Sequence, residues 1–170
     1  CRRALGRGLC GVGAVIFATV GTQLPFPRFV GALDAIAGRR GLRIVAQTCG
    51  DTDARPHLDR HEHLDPVTFD RFVREASVIV GHAGIGSILS AGRAGKPIIL
   101  YPRRASLGEH RNEHQLATVA ALRDRPGIHI AHSDEELEAL LTTPDLTPFQ
   151  LEQSANRTAL VDRLRAFIAA

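Results

Sequence analysis

The sequence predicts one α/β domain with a mostly parallel sheet and helices on both of its faces, and three observations indicate this fold. Short apolar runs typical of β-strands alternate along the chain with apolar residues at helical spacing, which is the pattern of parallel β-α-β units. The length of 170 residues suits a single domain with one core. The hydrophobic share of 44% and the charged share of 23% are those of a soluble globular protein. We therefore expect residues 1–170 to form one domain, with residues 1–12 disordered at its start.

The first half of the chain predicts three strands and two helices. The apolar run Ala14–Val20 predicts the first strand, and the helix after it begins near Arg28 and ends at Gly38 or Gly41. Apolar residues share one face of that helix, namely Phe29, Val30, Leu33 and Ile36. The next strands are predicted at Leu42–Gln47 and, more weakly, at Leu58–Leu64, and Pro66 opens a helix that carries Phe69, Phe72 and Val73.

The second half of the chain predicts three further strands, each followed by a helix. The strands are Ser77–Gly81, Lys96–Pro102 and Gly127–Ala131. The helices are His82–Gly95, Glu109–Arg123, Asp134–Leu141 and a C-terminal helix over residues 147–169. Because a helix between two strands acts as a crossover connection, the strands that it joins should lie parallel.

Charge, apolar runs and cysteines exclude several classes of protein. The 21 Lys and Arg residues against 18 Asp and Glu residues give a formal charge of +3, and the chain has one Tyr and no Trp to stack on bases. The basic residues are dispersed among acidic ones, so we expect no nucleic-acid partner. No apolar run approaches the ~20 residues that span a bilayer. The three cysteines, Cys1, Cys10 and Cys49, lack CxxC spacing, which predicts neither a disulfide framework nor a zinc site and fits a cytoplasmic protein.

The ends of the predicted strands carry the candidate functional residues, because ligands of open parallel sheets bind outside the carboxyl ends of the strands. Gly21 and Thr22 follow the first strand. A glycine lets the backbone approach a ligand, and Thr22 offers a hydroxyl and an amide. An ordinary turn between a strand and a helix explains the same residues equally well.

A glycine-rich turn follows the strand Ser77–Gly81. Its sequence is Gly81-His82-Ala83-Gly84-Ile85-Gly86-Ser87. The turn opens a helix, whose first amides are unpaired and carry the positive end of the helix dipole. Gly84 and Gly86 leave those amides open to a phosphate, and Ser87 adds a hydroxyl. The alternative is a glycine turn selected for close chain packing, with His82 as a strand-end histidine that forms a wall of the pocket.

A polar segment and two rival interpretations complete the candidates. Glu109–Gln115 opens a helix with side chains that form hydrogen bonds, either to a ligand or to solvent. Asp51 and Asp53 have the Asp-x-Asp spacing with which some sugar transferases hold a divalent metal, although such residues are also common in turns. A dinucleotide site would need G-x-G-x-x-G after the first strand, where only Gly21 is present. We expect neither a metal nor a dinucleotide cofactor.

Four segments, in this order, together resemble the carboxyl-terminal domain of glycosyltransferase family 28. They are Val20–Phe26, Gly81–Leu89, Gly95–Pro97 and Arg103–Gln115, within a region from Ile16 to Ala120. Inside that family the chain is most similar to the PssE-type subunits of bacterial exopolysaccharide transferases. It resembles more distantly the donor half of MurG and the small subunit of the two-chain transferase that elongates dolichol-linked sugars.

The resemblance implies a Rossmann-like sheet and one half of a GT-B glycosyltransferase, the half that binds a UDP-sugar donor. It implies an inverting, metal-independent hexosyltransferase, in which the UDP-sugar is a substrate and this chain needs no cofactor. A separate membrane-associated subunit would bind the lipid-linked glycan acceptor and supply the catalytic base, so no catalytic residue is expected here. The chain would then be cytoplasmic and peripheral to the inner membrane through that partner, working in exopolysaccharide synthesis.

The resemblance also assigns roles to residues. Thr22 and the Gly84–Ser87 turn would hold the diphosphate, and His114 and Gln115 would bind hydroxyls of the donor sugar. The loop near Leu64 would present backbone groups to uracil.

One position departs from the family pattern. Ser90 stands where the family commonly has an acid that grips both ribose hydroxyls, and a serine makes fewer hydrogen bonds than a carboxylate. This departure leaves two alternatives open. The chain could be a non-catalytic sugar-nucleotide-binding or regulatory module, or a UDP-sugar hydrolase with the same fold.

Overall fold

The structure is a computed structural model that describes residues 14–151, and these residues form a parallel sheet of six strands. The strands are β1 (Val15–Thr19), β2 (Arg43–Gln47), β3 (Asp59–His61), β4 (Val78–Gly81), β5 (Ile98–Leu100) and β6 (Ile128–Ile130). Their order in the sheet is β3-β2-β1-β4-β5-β6, and every neighbouring pair is parallel. The predicted α/β fold with a parallel sheet is therefore confirmed.

Helices cover both faces of this sheet. They are α1 (Pro27–Arg40), α2 (Pro66–Glu75), α3 (Ile85–Ala94), α4 (His114–Leu122) and α5 (Asp134–Leu141). Because successive strand residues point to opposite faces, Ile16 and Ala18 lie in a core with α1 and α5, whereas Phe17 lies in a second core with α2, α3 and α4. Within residues 14–151, none of the helices combines the length and the apolar character that a membrane span requires.

Local signals in the sequence explain where the helices begin and end. Pro27 stands in the first turn of α1, where its missing N–H costs nothing, and Gly41 ends the helix with a φ of 65°. Asp65 caps α2, because its Oδ1 accepts hydrogen bonds from the amides of Val67 and Thr68, both at 3.0 Å.

The strand order creates a crevice between β1 and β4. From β1 the chain proceeds outward through β2 to β3, and it then returns past β1 to build β4, β5 and β6 on the other side. The connections that leave the carboxyl ends of β1 and β4 therefore run in opposite directions. Such a switch point is where open α/β sheets bind ligands.

Several predicted element boundaries are wrong. The helix predicted from His82 begins at Ile85, and the strand predicted over Lys96–Pro102 is limited to Ile98–Leu100. The strand predicted over Leu58–Leu64 is limited to β3, because its last residue, His61, lies opposite Gln47, where β2 ends. The helix predicted from Glu109 begins at His114. The acidic side chains before the helix form hydrogen bonds to residues of other segments. Glu109 binds Arg28, and Glu113 accepts a hydrogen bond from the Ser106 amide at 3.1 Å.

The C-terminal helix predicted over residues 147–169 is not present where the structure describes it. Residues 147–151 are extended, and the remainder of the prediction lies outside the described residues, as does the predicted disorder of 1–12. The amide of Phe149 donates to the Lys96 carbonyl at 3.3 Å, and that of Leu151 donates to the Gly92 carbonyl at 3.4 Å. This extended segment therefore lies across α3 and the start of β5.

Candidate functional site

A cleft of about 590 Å³ lies at the switch point, outside the carboxyl ends of β1 and β4. It is enclosed by the ends of β1 and β2 with the loop after β1, by the loop before α2 and α2 itself, by the turn from β4 into α3, and by the chain from β5 into α4. The residues that line it are Thr19, Val20, Gly21, Thr22, Gln23, Leu24, Gln47, Leu64, Phe69, His82, Gly84, Ile85, Gly86, Ser87, Ser90, Arg103, His110 and Gln115.

The structure brings together most of the residues that the sequence singled out for ligand binding. Those that line the cleft are Gly21, Thr22, Leu64, His82, Gly84, Gly86, Ser87, Ser90 and Gln115. These residues lie far apart in the sequence, on the loop after β1, the loop before α2, and α3 and α4. Their individual roles toward a ligand stay predictions.

Two predicted residues lie outside the lining of the cleft. Ala83 is buried, and its amide donates to Oε1 of Gln115 at 3.2 Å, so this amide is not open to a phosphate. His114 is exposed at the first turn of α4, where its amide donates to Oδ1 of Asn112 at 3.2 Å.

The loop after β1 turns sharply at Gly21, which has a φ of 81°. Its amide donates to Oγ1 of Thr19 at 3.1 Å, and its carbonyl accepts from Nε2 of Gln47 at 3.3 Å. A Cβ atom at this position would come within 2.9 Å of the imidazole of His82. Both the backbone conformation and the close ring require glycine here.

The start of α3 faces the cleft with free backbone donors. Gly84 is the N-cap residue, and no side chain caps the helix. The amides of Ile85, Gly86 and Ser87 therefore have no acceptor within the helix and form its positive end. A Cβ atom at Gly86 would meet open space, so this turn presents an unobstructed surface to an anion.

His82 forms the floor between the two glycine turns. Burial, reinforced by the positive charge of Arg103, lowers the pKa of His82 from 6.5 to about 4. The imidazole is therefore neutral near pH 7. It contributes a ring and a hydrogen-bonding nitrogen to the cleft, and no positive charge.

Gln115 is a structural residue of the cleft as well as a lining residue. Its Oε1 accepts hydrogen bonds from the amides of Ala83, at 3.2 Å, and Arg103, at 3.0 Å, so it joins the ends of β4 and β5. The carbonyl half of this amide is thus occupied. Only its nitrogen is left to donate to a ligand.

The Asp-x-Asp pair lies outside the cleft lining. Oδ2 of Asp51 accepts from Nε of Arg55 at 2.9 Å, and Oδ2 of Asp53 accepts from Nη2 of Arg55 at 3.0 Å. The side chain of Asp51 is buried in this ion pair. Within residues 14–151, no group of three or more His, Cys, Asp and Glu side chains has a metal-binding arrangement.

Sequence reasoning missed two polar residues of the cleft, Thr19 and Gln47. Thr19 and Gln47 are the last residues of β1 and β2 and lie opposite each other in the sheet, so the rule that ligands bind at strand ends could have found them. Arg103 and His110 lie in the polar segment before α4, where nothing in the local pattern separates them from solvated neighbours.

The chain matches a known protein family. The description of that family is "Glycosyltransferase family 28 C-terminal domain", and residues 15–162 of this chain match it. Comparison with curated protein sequences gives no match.

Solved structures of glycosyltransferases have the same fold. The solution structure of ALG13 has a TM-score of 0.60 at 16% identity, and the match covers 87% of this chain and 94% of that one. The calicheamicin glycosyltransferase CalG4 has a TM-score of 0.58 at 16% identity, over 75% of this chain and 34% of that one. MurG of Acinetobacter baumannii has a TM-score of 0.56 at 19% identity, over 77% of this chain and 41% of that one.

These likenesses show that the described sheet is the Rossmann-like half of a GT-B glycosyltransferase fold. The chain spans 40% of the length of the glycosyltransferase of kitacinnamycin and 34% of CalG4. It therefore corresponds to a part of those longer chains.

Proposed function

This chain belongs to glycosyltransferase family 28, with the residues of the family's carboxyl-terminal domain, and we propose that it binds the UDP-sugar donor in the cleft at the switch point. The observation that carries the proposal is the uncapped start of α3, between Gly84 and Ser87, at the wall of that cleft. Unpaired amides at a helix start favour a diphosphate by hydrogen bonds and by the helix dipole.

The proposed reaction moves a hexose from UDP to a hydroxyl of a lipid-linked glycan. The acceptor oxygen attacks the anomeric carbon, the bond from that carbon to the diphosphate oxygen breaks, and UDP leaves with the electron pair. The acceptor proton passes to a base on a partner chain. Amides at Ile85, Gly86 and Ser87 stabilise the charge that develops on the leaving diphosphate, so the step needs no metal.

We further propose that the acceptor-binding half is a separate, membrane-associated subunit, as in a two-chain transferase of exopolysaccharide synthesis. The match to ALG13 supports this arrangement, since it covers 94% of that chain, which therefore has little structure beyond the same half. The sequence feature in favour of exopolysaccharide synthesis is the resemblance of four ordered segments to PssE-type subunits, namely Val20–Phe26, Gly81–Leu89, Gly95–Pro97 and Arg103–Gln115.

Calorimetric titration of the purified chain with UDP tests donor binding. We expect binding that EDTA does not abolish, and no binding of NAD. EDTA-sensitive binding would contradict the metal-independent site and direct attention to Asp51 and Asp53. Absence of UDP binding by the folded chain would contradict the proposal.

A further inference from the structure

Arg103 is a buried charge at the centre of the cleft wall. Arg103 is only 2% exposed, although arginine is among the residues most rarely buried. Burial lowers the pKa of its guanidinium. The usual pKa of arginine is so high that the group stays charged nonetheless. The ring of Phe26 lies against it, with 4.4 Å between the guanidinium carbon and the ring centroid.

The guanidinium hydrogen bonds join two loops on different sides of the cleft. Nη2 donates to the carbonyls of Val20, at 3.2 Å, and Leu24, at 2.7 Å. Nη1 donates to the carbonyls of Pro25, at 2.7 Å, and Glu109, at 3.4 Å. Three of these acceptors belong to the loop after β1, and the fourth belongs to the segment before α4.

Within the part of the chain that the structure describes, no carboxylate forms an ion pair with this guanidinium. The nearest acidic residue in the sequence, Glu109, binds Arg28 through both carboxylate oxygens, at 2.5 and 2.8 Å, and accepts from the Arg104 amide at 2.9 Å. Direct contacts to the charge of Arg103 therefore come from carbonyl dipoles, and the Glu109 carboxylate acts on it only through its more distant charge. Burying a charge costs free energy unless its hydrogen bonds are complete. Here each terminal nitrogen of the guanidinium, Nη1 and Nη2, has two carbonyl acceptors.

We propose that Arg103 is the positioning residue of the cleft, which holds the loop from Val20 to Pro25 in the shape that presents Gly21 and Thr22 to the ligand. The effect of Arg103 on ligand binding rests on the proposed function of the cleft as the donor site. Its effect on the loop itself is independent of any ligand. A lysine cannot replace the arginine, because an ammonium group donates from one point and cannot reach carbonyls on both sides.

Three variants separate the charge of Arg103 from its geometry. Arg103→Met removes both, and Arg103→Lys keeps the charge. Arg104→Met is the matched control, since the Arg104 side chain donates to one carbonyl, that of His132, and does not line the cleft. Backbone ¹⁵N relaxation of the free protein measures the mobility of the loop, and UDP calorimetry measures the affinity of the site.

We expect both Arg103 variants to lower the order parameters of Gly21–Leu24 from about 0.85 to below about 0.6. Their affinity for UDP should fall by about tenfold or more, which corresponds to the loss of charge-assisted hydrogen bonds. Arg104→Met should leave both quantities unchanged. Loop order parameters in Arg103→Lys equal to those of the control would overturn the proposal, whether or not Arg103→Met folds.

A titration of His82 by NMR distinguishes positioning from a general loss of structure. Burial is the main cause that lowers the pKa of His82, and the charges of Arg103 and His110 lower it further. The pKa of His82 should rise above about 4 in both Arg103 variants as the loop loosens, and by less in Arg103→Lys, which keeps the positive charge. A wild-type chain that does not bind UDP would contradict the proposed function alone, because the relaxation measurement would still decide the role of Arg103.

Discussion

At the scale of single residues, His82 shows how two glycines shape the site. The ring occupies space that exists only because Gly21 and Gly84 have no Cβ atoms. The same enclosure keeps the ring neutral, since water cannot solvate a charged imidazole there. The glycine turns thus determine both where His82 lies and its protonation state.

The neutral His82 makes stability depend on pH. Its pKa is about 4 in the folded protein, below the 6.5 of an ordinary histidine, so as the pH falls the unfolded chain binds the proton first. We expect the free energy of unfolding to decrease by about 2 kcal/mol between pH 7 and pH 5 through this residue. Urea denaturation at the two pH values measures the difference. His82→Gln should remove it, whereas equal losses in His82→Gln and in the exposed control His63→Gln would count against this account.

Gly84 and Gly86 should differ in what they contribute. Alanine at Gly84 would overlap the His82 ring, so we expect Gly84→Ala to lower stability by about 1–3 kcal/mol. Alanine at Gly86 meets open space inside α3 and should raise stability by about 0.5–1 kcal/mol, while its methyl group obstructs the phosphate surface and weakens UDP binding. Urea denaturation and calorimetry of both variants test this contrast. A Gly86→Ala protein with unchanged UDP affinity would mean that the diphosphate does not approach α3.

At the scale of elements, the extended segment 147–151 depends on the absence of side chains beneath it. A Cβ atom at Gly127 would overlap the backbone of Pro148 and Phe149, and its φ of 83° already disfavours other residues. Gly41 has a similar φ of 65° with nothing within 4 Å. Comparing Gly127 with Gly41 therefore separates the cost of a positive φ from the cost of steric overlap with neighbouring backbone.

Gly127→Ala should destabilise the protein more than Gly41→Ala. The positive φ costs about 1–2 kcal/mol at either site. Only at Gly127 must the chain at Phe149, which is 8% exposed, also move out of the core. Chemical denaturation gives both free energies, and equal losses would show that segment 147–151 is not held in place.

Periodicity in the sequence was sufficient to locate every strand except the weakly predicted β3. It also located α1 and α3, whose apolar residues follow the expected spacing and whose C-terminal ends are marked by glycine. It failed where distant residues decide the structure. Glu109 belongs to a run that favours a helix, yet its carboxylate binds Arg28, 81 positions away. Local patterns likewise gave no sign that Arg103 is buried, because its four acceptors come from loops that only the fold brings together.

At the scale of the whole molecule, the strand order unites residues from opposite halves of the sequence. Gly21 and Gln47 come from one side of the crossover, and His82, Arg103 and Gln115 from the other. The sequence indicated that strand ends carry the site. It did not indicate that β1 and β4 are neighbours, which follows from the crossover after β3.

One half of a two-chain transferase should bind its donor and leave it intact. We expect the purified chain, incubated with UDP-sugars, to release neither UDP nor free sugar, because the proposed function assigns the base that activates the acceptor to a partner chain. Mass spectrometry measures both products, and UDP calorimetry on the same sample confirms an intact site. Release of free sugar that Gly86→Ala abolishes would instead identify a hydrolase.

The outer strands of the sheet have a consequence for the behaviour of the protein at high concentration. β3 and β6 are three residues long, and β3 consists of Asp59, Arg60 and His61. An exposed strand edge is a template on which another chain adds a strand, as in aggregation and amyloid growth. Here each edge offers few backbone groups, and one of them is bordered by charged side chains that would have to lose their water. Strand addition at either edge is therefore disfavoured, and we expect the sheet to resist aggregation through its edges.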